Sequence, residues 1–158
     1  YFFNKRLILS YLIPIKLLHG KAPSVALLRQ YKLPQYLELT QSIKEGNLAS
    51  FNAQLEKHQE DFVRRGIYLI LEKVKIIVLR NLFRRVHAIL GTEKLKLELL
   101  THTLGWLGLD ADLDETECLV ANLIYKGYVK GYISHQSRVL VVSKSNAFPP
   151  LSKVPAVK

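Results

Sequence analysis

The stretch Asp114-Glu-Thr-Glu-Cys-Leu-Val-Ala-Asn-Leu-Ile-Tyr125, continued by Lys126-Gly-Tyr-Val-Lys-Gly-Tyr-Ile-Ser-His135, decides the fold of this 158-residue chain. Asp114 with Glu117 three positions on is the reciprocal pattern that satisfies two free amides at a helix start. The spacing predicts a helix to about Tyr125 that stops at Gly127. The period then switches: Tyr128 to His135 and Arg138 to Ser143 are β-rich runs joined by Gln136-Ser137, a hairpin. Upstream, Lys94 to Leu107 reads as a short extended piece running into a helix, with Trp106 near its end. Helix, helix, hairpin is the order of a winged helix.

Working outward from it, apolar residues from Asn4 to Leu90 recur at helical spacing, with breaks at Gly20-Lys21-Ala22-Pro23, Leu33-Pro34, Gly46-Asn47 and near Gly66. Five or six consecutive helices follow, so the fold class is mostly α: tandem helical repeats leading into a winged-helix subdomain. Gly46 suits a C-terminal stop and Asn47 the cap of the next helix. On the pattern from Ile67 to Leu90, one apolar stripe is Ile67, Ile70, Leu71, Val74, Val78 and Leu82. A second is Leu69, Ile76, Leu79, Phe83 and Leu90, which predicts packing on two sides. Lys73, Arg80 and Arg84 form a row between the stripes. That row is either a solvated face or a strip that meets an acidic partner or a phosphate backbone. The expected division is 1–90 for the helical repeats, 91–145 for the winged helix and 146–158 for an extended tail with Pro149, Pro150 and Pro155.

Composition narrows the function. Lys+Arg number 23 and Asp+Glu 13, a formal net charge of +10, and 49% of residues are apolar. The chain can bury a core and is not a disordered or collagen-like sequence. Its single cysteine, Cys118, excludes an internal disulfide and four-cysteine metal sites, and points to an intracellular protein with an inert thiol. The most apolar runs, Leu7 to Leu18 and Ile67 to Leu79, fall short of the roughly 20 apolar residues of a membrane span. With no methionine and an opening of Tyr1-Phe2-Phe3, the sequence is expected to be an internal or C-terminal piece of a longer product.

No catalytic constellation is present: there is no phosphate loop, no nucleophile elbow and no paired-histidine zinc motif. His19, His58, His87, His102 and His135 lie on separate elements. Asp110, Asp112 and Asp114 mimic a calcium loop, but Glu115 occupies the position that needs glycine and Ala121 the position that needs a bidentate glutamate. The expectation is a non-enzyme without cofactor or metal. Charge is more informative. Asp110 to Glu117 holds five acidic residues and no basic one, whereas the chain from Cys118 onward holds six basic residues and no acidic one: Lys126, Lys130, Arg138, Lys144, Lys153 and Lys158. The first four fall on the end of the second winged-helix helix, the wing strands and the wing turn, where cations displace counterions from a nucleic-acid backbone. Tyr125, Tyr128 and Tyr132 interleave with them as candidate base-stacking rings. Asn122 and Lys126 share an outward helix face, too little to read a base sequence. The other reading is that the tyrosines pack the wing and the lysines only solubilise it.

The segment Glu117-Cys-Leu-Val-Ala-Asn-Leu-Ile-Tyr-Lys-Gly-Tyr-Val-Lys-Gly-Tyr-Ile133 resembles the C-terminal signature of the PCI domain family, scaffolds of proteasome-lid, signalosome and translation-initiation assemblies. Asn4 to Leu18, Glu45 to Leu48, Gly66 to Lys73, Arg80 to Phe83, Tyr132 to Gln136, Val141 to Lys144 and Phe148 to Leu151 are similar to the branch of that family found in the second transcription-and-export complex. That resemblance implies a nuclear, non-catalytic subunit, at the nuclear envelope and pore with some cytoplasmic presence. It would pair with a GANP-type export scaffold, hold a small acidic Sem/DSS-type peptide and help bind mRNA, while the shortness of the apolar runs noted above leads to the separate expectation of no membrane partner. A purely structural subunit of a lid-like or signalosome-like assembly is the alternative.

Overall fold

The computed structural model describes residues 1–155; the expected extension of the tail to Lys158 lies outside the described residues. Among these residues the first part of the chain forms α1 (Phe2–Leu18), α2 (Val25–Gln30), α3 (Leu37–Glu45), α4 (Leu48–Lys57), α5 (Gln59–Arg64) and α6 (Tyr68–Leu90), with a 3-10 turn at Pro34–Tyr36. Gly46 closes α3 in the left-handed conformation at φ +67°, and the Asn47 side chain accepts the Ser50 amide to cap α4. A break that the spacing does not mark separates α4 from α5 at His58. Two compact units divide the chain between Val78 and Leu79, inside α6, rather than after residues 90 and 145.

The first unit, Tyr1–Val78, is helical. Its core gathers Tyr36, Leu39, Phe51, Phe62 and Leu71, all fully buried, with the Tyr36 and Phe62 rings stacked at 6.0 Å between centroids. Pro14 stands inside α1 and has no amide to give the Ser10 carbonyl four residues back. The Tyr36 hydroxyl donates to that carbonyl at 2.7 Å, so the group freed by the proline is paired by a side chain from elsewhere in the unit. Burial pushes the Tyr36 hydroxyl well above the ordinary tyrosine range.

Along α6, Ile67, Leu71, Val74, Val78 and Leu82 of the first stripe are buried and Ile70 is half-buried. The second stripe is buried only at Leu79 and Phe83; Leu69 and Leu90 face solvent, so the expected two-sided packing holds over part of the helix.

The second unit adds β1 (Lys94–Lys96), α7 (Leu97–Trp106), α8 (Leu113–Tyr125), β2 (Gly131–Ser134) and β3 (Val139–Val142). The antiparallel sheet has the order β1-β3-β2. Leu95, Leu140 and Ile133 lie opposite one another and point inward; Lys94, Val141 and Tyr132 form the neighbouring row and point outward. The helix of the opening stretch starts two residues earlier than expected. Asp112, not Asp114, accepts the Glu115 amide, and Glu115 reaches back to the Asp112 amide. Both aspartates have a glutamate three positions on; the choice of Asp112 leaves Asp114 and Glu117 free for other partners. The chain leaves α8 at Gly127 with φ +82°, and a Cβ at Gly131 would stand 2.3 Å from the Val141 carbonyl oxygen, so only glycine fits where β2 meets β3.

The segment from Asn146 is not a loose extension. Lys130 donates its amide to Ala147, Ala147 and Pro149 are buried, and Leu151–Lys153 forms a 3-10 turn.

Candidate nucleic-acid interface

The nine residues singled out by sequence fall into two groups. Asn122, Lys130 and Lys144 are exposed and Lys126, at the C-cap of α8, is half-exposed. Lys130 lies opposite Ser143, whose amide donates to the Lys130 carbonyl at 2.8 Å, and Lys144 is the next residue along the chain.

Arg138 and Tyr128 do not belong with them. Arg138, at φ +51° in the wing turn, donates to Asp114 Oδ1 at 2.7 Å and to Glu117 Oε2 at 2.6 Å. The hydrogen bond to Asp114 raises the pKa of its guanidinium, with the nearby carboxylate charges adding to the effect. Glu117 also meets His135 Nδ1 at 2.7 Å. The expected polyanion contact at Arg138 is therefore corrected: two carboxylates of its own unit hold this cation and pin the wing turn to the start of α8. Tyr128 is 3% exposed, and burial raises its pKa. Its ring is core and offers no face for a base.

The row on α6 is also interrupted. Lys73 and Arg84 are exposed, but Arg80 is 4% exposed, because the tail covers it. Its Nη2 donates to the carbonyls of Phe148 at 3.1 Å and Pro149 at 2.9 Å, and its Nη1 to Asn81 Oδ1 at 2.8 Å. Its Nε has no hydrogen-bond partner, and no carboxylate pairs with it among the described residues. Burial, helped by the charge of Arg84, pulls its pKa down from the ordinary arginine range to about 10. The expected partner contact at Arg80 is corrected to an internal clamp.

Sequence reasoning missed the outward face of the sheet. Lys94 and Lys96 alternate with the buried Leu95 and lie across β3 from Tyr132 and Ser134. Tyr132 is 62% exposed. The signal was present in the alternation of residues 94 to 96, but their pairing with a strand more than forty residues away is a tertiary fact.

Helices followed by a winged helix, in this order along the chain, are the architecture of a PCI domain. The chain belongs to the PCI domain family, whose model, described as "PCI domain", matches residues 55–144. It is 51% identical over 152 residues to PCI domain-containing protein 2 of Xenopus laevis, covering 96% of this chain and 38% of that protein. It is 52% identical over 149 residues to PCI domain-containing protein 2 homolog of Dictyostelium discoideum (94% and 34%), and 40% identical over 163 residues to Protein CSN12 homolog of Neurospora crassa (92% and 36%). The chain thus spans less than two-fifths of the length of these relatives. PCI domain proteins are generally structural scaffolds, built from the helical repeats and winged helix seen here.

Proposed function

We propose that the chain acts as a non-catalytic scaffold in a nuclear mRNA export complex, at the nuclear envelope and pore, and binds RNA through the lysines of its winged helix. A GANP-type scaffold and a small acidic Sem/DSS-type peptide are its proposed protein partners. The observation that carries the RNA reading is the state of Lys130 and Lys144: both exposed and in no ion pair among the described residues, on a chain of net charge +10. The acidic residues at the start of α8 favour a sequence-tolerant mode. A groove-reading helix presents its N-terminal residues to the bases, and here that end carries Asp114 and Glu115.

Titration of single-stranded RNA at two salt concentrations tests this reading. Saturable binding that weakens with salt, and weakens further in a Lys126→Gln, Lys130→Gln, Lys144→Gln variant, is expected. Absence of binding at low salt rejects it. One observation favours the purely structural alternative: Arg80 and Arg138 are already engaged within the chain and Tyr128 is buried. In that case the lysines face protein subunits and the variant loses a partner instead of RNA.

A further inference from the structure

We infer that the outward face of the three-stranded sheet, with Tyr132 as a stacking platform between lysines, is a seat for single-stranded nucleic acid. The inference rests on the RNA reading above and extends its seat from the wing lysines to the outward face of the sheet.

Register puts Lys94, Val141 and Tyr132 in one row across β1, β3 and β2, and Lys96, Val139 and Ser134 in the next. Alternation continues this face to Lys130, whose carbonyl pairs with Ser143. The outward positions of the three strands thus carry lysines at both edges, two half-buried valines in the middle and one exposed aromatic ring, with no acidic side chain. No ion pair among the described residues engages Lys94, Lys96 or Lys130. Lys94 and Tyr132 stand two strand spacings apart, about 10 Å.

Each part of this face matches a part of an unpaired strand. A base with a free π-face stacks on the phenol, and the valines give its edge an apolar floor. The ammonium groups of Lys94, Lys96 and Lys130 meet phosphates on either side. Duplex offers no free base face, so Tyr132 would add nothing to its binding. The outward surface of α8 is poorer in cations: Asp114, Glu115, Cys118, Ala121, Asn122 and Tyr125 are its exposed residues, with Lys126 only at the end. An acidic peptide would satisfy the lysines but has no need of the ring.

Fluorescence anisotropy of the whole chain with a labelled single-stranded oligouridylate of about 12 nucleotides separates these cases. Tyr132→Thr, which keeps a good strand former, should weaken binding about tenfold, and Tyr132→Phe should bind like wild type. The pair Lys94→Gln and Lys96→Gln should lower the slope of log K against log salt by about 1.4, since each phosphate of a single strand that a lysine neutralises adds roughly 0.7. A hairpin duplex of the same length should not respond to Tyr132→Thr. Binding that responds to Asn122→Asp and Lys126→Gln but to none of the sheet variants overturns this inference and leaves the RNA reading standing. Equal competition by polyglutamate, together with indifference to Tyr132→Thr, also overturns it, in favour of an acidic protein partner. Absence of wild-type binding defeats the RNA reading itself.

Discussion

Replacing Tyr36 by phenylalanine removes one oxygen and leaves the Ser10 carbonyl with no donor, since Pro14 cannot supply one. An acceptor stranded in a buried place costs about 1 to 3 kcal/mol. The ring remains, stacked on Phe62, so no cavity adds to the loss. In a Pro14→Ala background the new amide at position 14 can donate to Ser10 along the helix. Tyr36→Phe should then cost only about 0.5 kcal/mol, near the low end for a typical hydrogen bond. A double-mutant cycle by urea unfolding should give a coupling of about 1 kcal/mol, with the tyrosine worth more beside the proline. The direct effect of removing the buried pyrrolidine cancels in the cycle. Equal losses in both backgrounds, within about 0.3 kcal/mol, would show that the hydroxyl does not serve the carbonyl freed by Pro14.

Other outcomes follow from the same geometry. Alkaline pH should act through Tyr36: the folded state keeps a proton that the unfolded chain releases near its ordinary value of 10.0, so stability falls as pH climbs above about 10. Tyr36→Phe removes that part of the slope. Arg80 works in the opposite sense, because burial lowers its pKa in the folded state to about 10, well below that of the unfolded chain, so stability gains as pH climbs above about 10 and Arg80→Met should remove that rise. Arg138→Gln should loosen the wing turn, seen as faster amide exchange there, yet leave the salt slope of RNA binding unchanged. Lys130→Gln should lower that slope by about 0.7. Gly131→Ala should lower the unfolding midpoint by several degrees, since its Cβ would stand 2.3 Å from a backbone oxygen.

What was legible in the sequence was whatever local chemistry dictates. Gly46 and Asn47 end and begin helices, Gly127 stops α8 and the change of period to the hairpin is plain, because each depends on a few consecutive residues. The cap of α8 was displaced because Asp112 with Glu115 and Asp114 with Glu117 carry the same pattern two residues apart. The surface was read less well. Arg80 and Arg84 look alike in sequence, and only a tail that returns more than sixty residues later distinguishes them. Arg138 likewise met carboxylates that the sequence shows only as a separate acidic run. Counting cations finds a basic protein; deciding which cations are free requires the fold.

The clamp at Arg80 has a practical corollary. The guanidinium's hydrogen bonds to the tail go to main-chain oxygens, with the Phe148 ring 5.9 Å away as a further contact, so Phe148→Leu should keep those hydrogen bonds and lose only the ring contact. A shortened version ending at residue 145, the edge that sequence alone suggests for the winged helix, removes both oxygens at once. It would also remove the cover over the guanidinium, leaving Arg80 to water and exposing the surface against which Ala147 and Pro149 are buried, so fragments prepared for binding work should keep the chain at least through Pro150.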